Sequence, residues 1–333
     1  AFFGLDNTPK NGGKPNTSLP PDGRFFLPNG VFARAIPDKQ RLPSVDAYNV
    51  TAQFQLTNTI SLEAAYVGNK GTHVFAGDGP QFDVNQPTLE GFGSVPRDRR
   101  RPLFNKFGWT QSIDFFCNCA DDRYDSAQFK LTKRFSSGYA ILAHYTLQRS
   151  LQDAQDYFVH DQALNRGVAD WNRTHSFVFS QIWELPVGRG KKYLGGAARP
   201  LDMLIGGWQI NSNTTIQSGL PYSFCYDASA NIDTGPCRPN VGGDPKARLS
   251  GGHYSYDTSV FSNPGRGRFG DQDRNAMRGP GYWRTDASLF KKFRLAETKE
   301  LEFRVESVNV FNHVNLGAPD SFIGSFDQSG KLN

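Results

Sequence analysis

The feature that most limits the fold of this chain is an alternation of apolar and polar side chains with a period of two residues. It is clearest in residues 124–135. Successive side chains of a strand point to opposite faces, so this segment is predicted to be a strand with one apolar and one hydrated face. The turn sequence Ser-Ser-Gly follows at 136–138, and the alternation restarts at Tyr139. The pattern predicts a β-hairpin with a tight connection. The apolar set of its first strand is Ala127, Phe129, Leu131 and Phe135.

The same unit recurs along the chain, and no stretch shows a sustained helical period. The interpretation is an all-β, antiparallel, up-and-down fold with about eight strands between residues 47 and 312. The predicted strands are 48–56, 60–66, 124–135, 139–147, 177–185, 208–217, 287–295 and 301–305.

The connections between these strands alternate between short and long. The fifth connection, 186–206, is longer than the other turns but rich in Gly and Lys. Outer-membrane β-barrels combine short periplasmic turns, long extracellular loops, an apolar outer band and a polar interior. The alternation therefore favours such a barrel over a soluble antiparallel sheet with one hydrated face. Aromatic residues near the strand ends fit the interfacial girdles of these barrels: Tyr139, Trp183, Trp208, Trp283 and Phe311.

Composition excludes two other classes of protein. No run approaches the roughly 18 apolar residues of a membrane-spanning helix, so a helical membrane protein is excluded. The formal net charge of +5 is modest and mostly scattered, which does not indicate a nucleic-acid partner.

Five segments, taken together, resemble the C-terminal barrel of Oar-like TonB-dependent outer-membrane receptors, and they occur in the order of that family. They are YNVTAQFQLTNTISLEAAYVGNKGTH (48–73), YDSAQFKLTKRFSSGYAILAHYTLQRSLQDA (124–154), NRTHSFVFSQIWELPVGRGKKYLG (172–195), GGWQINSNTTIQSGLPYSF (206–224) and RGPGYWRTDASLFKKFRLAETKELEFRVESVNVFNHVNLGAP (278–319). The resemblance implies a Gram-negative outer-membrane receptor with an N-terminal carboxypeptidase-regulatory-like domain, a plug and a large barrel.

Compared with that family, the chain is expected to be a partial barrel. Residues 1–46 are expected to form an extracellular loop leading into the first strand, and 47–312 to hold the eight strands. Residues 313–333 are expected to be a loop before a final strand that is missing, as are the plug and the N-terminal domain. Transporter barrels of this type have about 22 strands, so eight strands are a segment of one.

The resemblance implies TonB-energised uptake or surface binding of a ligand at the cell outer membrane. The implied partners are outer-membrane lipid, an unknown extracellular ligand and, through N-terminal segments, the TonB complex. No enzyme activity, catalytic residue, metal or cofactor is expected. The sequence has no G-x-S-x-G or H-E-x-x-H motif, and the glycines at 265–270 lack the strand and helix of a dinucleotide site. The alternative is a secreted or surface-attached β-rich binding module or adhesin without transport.

Two charged groups in the long loops are candidate binding sites. Basic residues at 97–106 could attract the phosphates of lipopolysaccharide or another anionic ligand, although a solvated basic loop is the simpler interpretation. The candidate anion contacts are Arg99, Arg100, Arg101 and Lys106, beside Arg97. An acidic set could supply oxygen ligands to Ca²⁺, but it lacks the EF-hand spacing. Its members are Asp153, Asp156, Asp161 and Asp170.

The four cysteines all fall in predicted long loops, which allows three pairings. A disulfide between Cys225 and Cys237 closes easily, whereas pairing Cys117 with Cys119 is expected to be strained. An oxidising cell surface favours disulfides. A zinc site is the second interpretation, although no nearby His completes it.

Overall fold

A computed structural model describes residues 28–75, 82–153, 158–245, 248–250, 253–296, 299–327 and 329–332. Eight long strands, β1 to β8, form one sheet in which each strand pairs antiparallel with its neighbours in sequence. The meander confirms the predicted antiparallel, up-and-down fold. The strands are β1 Ser44–Gln55, β2 Ile60–Phe75, β3 Asn118–Ser136, β4 Tyr139–Gln152, β5 His175–Glu184, β6 Trp208–Gln217, β7 Tyr282–Ala296 and β8 Lys299–Ser307.

The pairing register places like side chains in rows across the sheet. On one face Phe54 pairs with Leu62, which pairs with Leu131. On the opposite face Gln53 pairs with Glu63, which pairs with Lys130. Across the meander one face is therefore mainly apolar and the other mainly polar, as the alternation predicts.

Among the described residues, most of the apolar face is not covered by protein. Phe129 is 46% exposed and Phe303 is 52% exposed, and both edge strands are exposed along their length. A soluble sheet buries its apolar face, and each large side chain left in water forgoes roughly 1.5–3 kcal/mol of burial free energy. Accessible apolar and polar faces on the same strands are typical of a membrane barrel wall. Among the described residues, β1 and β8 do not pair with each other, so the sheet is an open segment of wall.

The long connections 76–117, 153–174 and 218–281 all join the strands at one end of the sheet, which we call the loop end. The other end is the turn end. Where the structure describes these connections and the segment before β1, they contain ten short strands: Ala33–Ala35, Phe82–Asp83, Ile113–Phe115, Gly167–Val168, Pro221–Tyr222, Asn240–Val241, Arg248–Ser250, His253–Ser255, Phe261–Ser262 and Met277–Arg278. The short helices at this end are Arg97–Arg100, Phe104–Phe107, Gln162–Asn165 and Thr258–Val260.

Both terminal segments of the described chain also fold at the loop end. Ala33–Ala35 pairs in parallel with Ile113–Phe115, inside the connection between β2 and β3. After β8, Ile323 donates a backbone hydrogen bond to Cys225 (2.9 Å), and Asp227 donates one to Gly324 (2.8 Å). The expected loop at 313–333 is thus packed on the 218–281 connection over the part that the structure describes.

The turn end carries one helix, Arg199–Ile205, in the 185–207 connection. No helix in the described ranges is both long and apolar enough to cross a membrane.

Candidate functional site: the loop cap

The connections and terminal segments at the loop end fold into one body, which we call the loop cap. It consists of the described residues of 28–43, 82–117, 153–174, 218–281 and 308–332. Its main apolar cluster centres on Phe224, whose ring packs edge-on against Tyr256 (4.8 Å between ring centroids) and Phe261 (4.7 Å). The segment after β8 covers this cluster with Ile323 and Phe326. The cap therefore has a core of its own, which the exposed wall does not.

Buried arginines join separate connections inside the cap. The Arg100 guanidinium donates to the Asp233 carboxylate, and so links the 76–117 connection to the 218–281 connection. It also donates to the backbone oxygens of Thr88 and, at 3.3 Å, Val95. All three guanidinium nitrogens of Arg100 thus donate to an acceptor from the protein itself.

A second ion pair, between the buried Arg274 and the exposed Asp170, fixes the 153–174 connection. Arg274 Nη2 lies 2.9 Å from Asp170 Oδ1, and the Asn275 amide donates to Val168 O at 2.7 Å. Nearby, Arg278 Nη1 donates to Asn172 O at 2.9 Å. Burial lowers the pKa of Arg278, and the neighbouring Arg149 lowers it further.

The basic cluster identified in the sequence is divided by the fold. Arg100 and Arg101 are buried, and Arg101 Nη1 donates to Asn85 O at 2.6 Å. These two side chains stabilise the cap, so the expectation that they contact an external anion is corrected. Arg99 and Lys106 are exposed, and so remain available to a ligand. Sequence reasoning missed Arg266, which is exposed and whose guanidinium lies 5.6 Å from the centre of the Phe92 ring.

The acidic set does not converge on one point. Asp153 accepts a hydrogen bond from the Asp121 amide (2.7 Å), Asp161 accepts one from the Ala163 amide (3.0 Å), and Asp170 pairs with Arg274. Asp156 lies outside the described residues. Over the described ranges, no group of three His, Cys, Asp or Glu side chains has the arrangement of a metal site. The calcium and zinc interpretations thus gain no support from the geometry.

Both pairs of neighbouring cysteines are joined in the structure. Cys225 and Cys237 form a disulfide with their Cα atoms 5.0 Å apart. Cys117 and Cys119 are also joined, with a Cα separation of 5.2 Å. The sequence favours the first pairing over this one, and the structure forms both. The placement of all four in loops is corrected, since Cys119 lies in β3.

A cavity of about 330 Å³ opens beside the Cys225–Cys237 disulfide. It combines a carboxylate, a guanidinium, an amide and aromatic surface, a mixture suited to a small polar ligand. The residues come from two connections and the terminal segment, so no single stretch of sequence reveals the cavity. They include Asp170, Tyr222, Ser223, Arg238, Asn275 and Ser321.

Burial also perturbs groups around this cavity. Desolvation raises the pKa of Tyr226 and of Tyr256. The Asn231 amide donates to the Tyr226 hydroxyl (3.0 Å), and Tyr222 donates to the Tyr256 hydroxyl (2.9 Å). Both phenols are therefore neutral hydrogen-bonding groups over the ordinary pH range.

Comparisons with known proteins agree with this architecture. The outer membrane beta barrel domain family matches residues 4–333. The chain is similar in structure to the ferric-catecholate import receptor Fiu from Escherichia coli K12 (TM-score 0.41, 11% identity), covering 94% of this chain and 29% of that one. It is also similar to the outer membrane transporter YddB from Escherichia coli (TM-score 0.43, 9% identity), covering 91% of this chain and 32% of that one. The chain thus spans about a third of the length of these structures. No curated protein matches it.

The family match covers nearly the whole chain, and the exposed apolar band of β1 to β8 is the surface that such a family presents to lipid. The apolar band and the polar face are therefore the lipid-facing and lumen-facing sides of a barrel wall in the outer membrane. This chain belongs to the outer membrane beta barrel domain family.

Proposed function

We propose that the chain is the wall and loop cap of an Oar-like TonB-dependent receptor, which binds a ligand at the cell surface and imports it with energy from TonB. Support for this subtype comes from the five sequence segments that occur in the order of that receptor family. Membership of the outer-membrane barrel family is consistent with it. In this proposal the loop end is extracellular and the turn end is periplasmic.

The observation that carries the proposal is the folded loop cap itself. Loops that served only to connect strands would not need to bury arginines against carboxylates of other connections, because burying a charge is costly unless it is paired and hydrogen-bonded. Here Arg100–Asp233 and Arg274–Asp170 hold three connections in one arrangement. A cap with a fixed shape and a mixed-polarity cavity is suited to selective capture of a ligand.

The proposed partners follow from this arrangement. The apolar face contacts outer-membrane lipid, the cap contacts an extracellular ligand, and TonB acts through segments outside this chain. Arg99, Lys106 and Arg266 are the candidate contacts for an anionic ligand. The proposal includes no nucleic acid, no cofactor and no catalytic step.

Uptake by the complete receptor tests the proposal. Cells with and without TonB would be given radiolabelled ferric catecholate, cobalamin, oligosaccharides and oligopeptides. We expect one class to accumulate only in cells with TonB, while surface binding of that class persists without it. Surface binding with no TonB-dependent accumulation of any class would instead support the alternative of a surface binding protein without transport.

The cavity can be tested in the same assay. Ser321→Phe places a ring at the cavity wall, and Ser329→Phe places one at an exposed position of the same terminal segment. We expect the first variant to weaken surface binding at least tenfold and the second to leave it unchanged. Equal binding by both variants would remove this cavity from the proposal.

A further inference from the structure

The helix at the turn end packs on the lipid-facing side of the wall. Its last turn presents the carbonyl oxygen of Leu204, which accepts hydrogen bonds from the Trp208 indole (3.0 Å) and from Lys291 Nζ (3.2 Å). Lys291 also donates to Gly206 O. These contacts join the 185–207 connection to the first residue of β6 and to the middle of β7.

The position of Lys291 identifies the face. It alternates with Leu289 and Phe293 on the apolar side of β7, and it pairs with Trp208 on β6. An ammonium facing lipid is costly unless it is shielded or reaches polar groups. Lys291 is only 2% exposed, because the helix end and the rings of Trp208 (5.0 Å) and Phe293 (5.2 Å) surround it. The helix therefore covers the lipid-facing side at the turn end.

The outer side of this helix is apolar. Leu201 and Met203 are each about half exposed, and Leu204 is 72% exposed. Tyr193 and Leu194, just before the helix, are also exposed. In water this cluster would be unfavourable, whereas at a membrane interface each buried side chain contributes roughly 1.5–3 kcal/mol to binding.

Aromatic side chains mark the depth of this surface. Tyr139 and Trp183 pair across β4 and β5 at the turn end, with their rings edge-to-face at 6.4 Å, and Trp208 begins β6. Barrels carry such aromatic girdles at the boundary between hydrocarbon and headgroups. The helix therefore lies at headgroup depth, next to the girdle.

The polar part of the same connection is positively charged. Arg189, Lys192 and Arg199 are exposed, while Lys191 is paired with Glu184 at 3.0 Å. The acidic Asp202 is turned inward, where Oδ1 accepts a hydrogen bond from the Arg189 amide at 2.6 Å. A cavity of about 500 Å³ lies within this connection, with Arg189, Lys191 and Arg199 among its lining residues. Exposed apolar side chains beside exposed cations are complementary to acyl chains beside phosphate.

We propose that the 185–207 connection is an interfacial anchor that binds anionic phospholipid in the periplasmic leaflet of the outer membrane. Leu201 and Leu204 enter the acyl boundary, and Arg189, Lys192 and Arg199 contact the phosphates. The choice of leaflet rests on the proposed sidedness, in which the turn end is periplasmic. The anchor itself needs neither transport nor TonB.

The depth of the helix tests the anchor. The complete receptor would carry a spin label at Leu204→Cys or, as a control, at Val95→Cys, an exposed apolar position in the loop cap. In vesicles of phosphatidylethanolamine and phosphatidylglycerol, we expect the label at 204 to collide with oxygen and to be shielded from a water-soluble nickel reagent. The label at 95 should be open to nickel. Equal access of nickel to both labels would overturn the anchor.

The lipid is tested by retention after purification. Native mass spectrometry would count phosphatidylglycerol bound to the receptor and to the triple variant Arg189→Gln, Lys192→Gln, Arg199→Gln. The matched control is Arg34→Gln, Lys39→Gln, Arg41→Gln at exposed positions of the loop cap. We expect about a fivefold loss of retention for each charge removed at the turn end, and none in the control. Equal retention by the two triple variants would overturn the phosphate contacts.

Counting bound lipid A in the same experiment distinguishes the two sources of phosphate, which are phosphatidylglycerol and lipid A. If the triple variant at the turn end loses lipid A and keeps phosphatidylglycerol, the assignment to the periplasmic leaflet is wrong. These measurements are independent of the uptake assay, so a failure of the anchor and a failure of the proposed transport are distinguishable.

Discussion

At the residue scale, neighbouring side chains of one strand meet different solvents. Phe129 faces outward in a row with Ala64 and Tyr145, and its ring stacks on that of Tyr145 at 6.4 Å. Gln128, on the opposite face, donates to Ser126 Oγ at 3.1 Å. The two positions therefore test which face contacts lipid.

Phe129→Arg should destabilise the receptor in lipid vesicles by roughly 2–4 kcal/mol, because it places a charge in hydrocarbon. Gln128→Arg should cost little beyond repulsion from the nearby Lys130. Urea titration of the folded receptor in vesicles measures both free energies of unfolding. Similar costs for the two variants would contradict the assignment of faces.

The division of the basic cluster predicts opposite results for adjacent arginines. Arg100→Ala leaves the Asp233 carboxylate without its buried partner, and should destabilise the loop cap by about 3 kcal/mol. Arg99→Ala, at an exposed position, should change stability by about 0.5 kcal/mol or less. Hydrogen exchange of the cap amides measures both. An unchanged cap in Arg100→Ala would show that the pair is not structural.

Asp153 gives the loop cap a local pH dependence. Burial raises the pKa of its carboxyl above the unfolded value; the hydrogen bond from the Asp121 amide and the charge of Arg166 oppose this rise, and the charge of Asp121 adds to it. The pKa of Asp153 is higher in the folded than in the unfolded chain. Its contribution to the stability of the loop cap is therefore complete below the unfolded pKa and is lost as pH rises through the folded pKa.

We therefore expect the amides of the 153–174 connection to exchange faster as pH rises through the folded pKa, because the ionised Asp153 carboxylate is penalised by burial. Asp153→Asn keeps an acceptor oxygen and should remove this dependence. Hydrogen exchange of these amides, corrected for the intrinsic pH dependence of the exchange rate, measures how the opening of the connection depends on pH. A pH dependence that persists in Asp153→Asn would have another source.

At the element scale, strands and loops owe their stability to different interactions. The strands are held by the continuous backbone ladder from β1 to β8, which needs no covalent support. The cap relies on side chains and on the Cys225–Cys237 bridge, which lies between the cavity and the terminal segment. Reduction should accordingly affect the cap and not the wall.

Replacing Cys225 and Cys237 by Ser should destabilise the cap by about 3 kcal/mol, since the bridge closes a loop with a sequence separation of 12. The matched control replaces Cys117 and Cys119, whose separation of 2 restricts the unfolded chain much less. Limited proteolysis should cut within 218–281 faster in the first variant, while the strands stay protected. Equal cleavage of both variants would contradict this role.

At the scale of the whole molecule, the strict meander places the 76–117, 153–174 and 218–281 connections on one side of the membrane and the 185–207 connection on the other. An epitope inserted near Gly91 of the complete receptor should be labelled on intact cells, because the 76–117 connection lies at the loop end. An epitope at Ser137, in the turn between β3 and β4, should be labelled only after permeabilisation. Labelling at Ser137 on intact cells would reverse the proposed sidedness and, with it, the leaflet assigned to the anchor.

The eight long strands and their two faces were predictable from sequence because both follow from local alternation. A side chain at position 129 and one at 131 share a face in any strand, whatever the strand packs against. The predicted ends were less accurate at the loop end: β3 begins at Asn118 and β7 at Tyr282, earlier than predicted. At that end the strands extend into the loop cap, where polar side chains interrupt the alternation from which strand ends are predicted.

Only the tertiary structure decided which charges are available to a ligand. Arg99 and Arg100 are adjacent and chemically identical, yet one is exposed and the other is buried against Asp233, which lies far along the sequence. Likewise, only the register of β6 with β7 shows that Lys291 lies beneath the helix at 199–205. Alternation depends on the backbone of a single strand, so the sequence by itself determined the wall. Burial and pairing depend on residues brought together from separate connections, so the cap, its cavity and the anchor were decided by the fold.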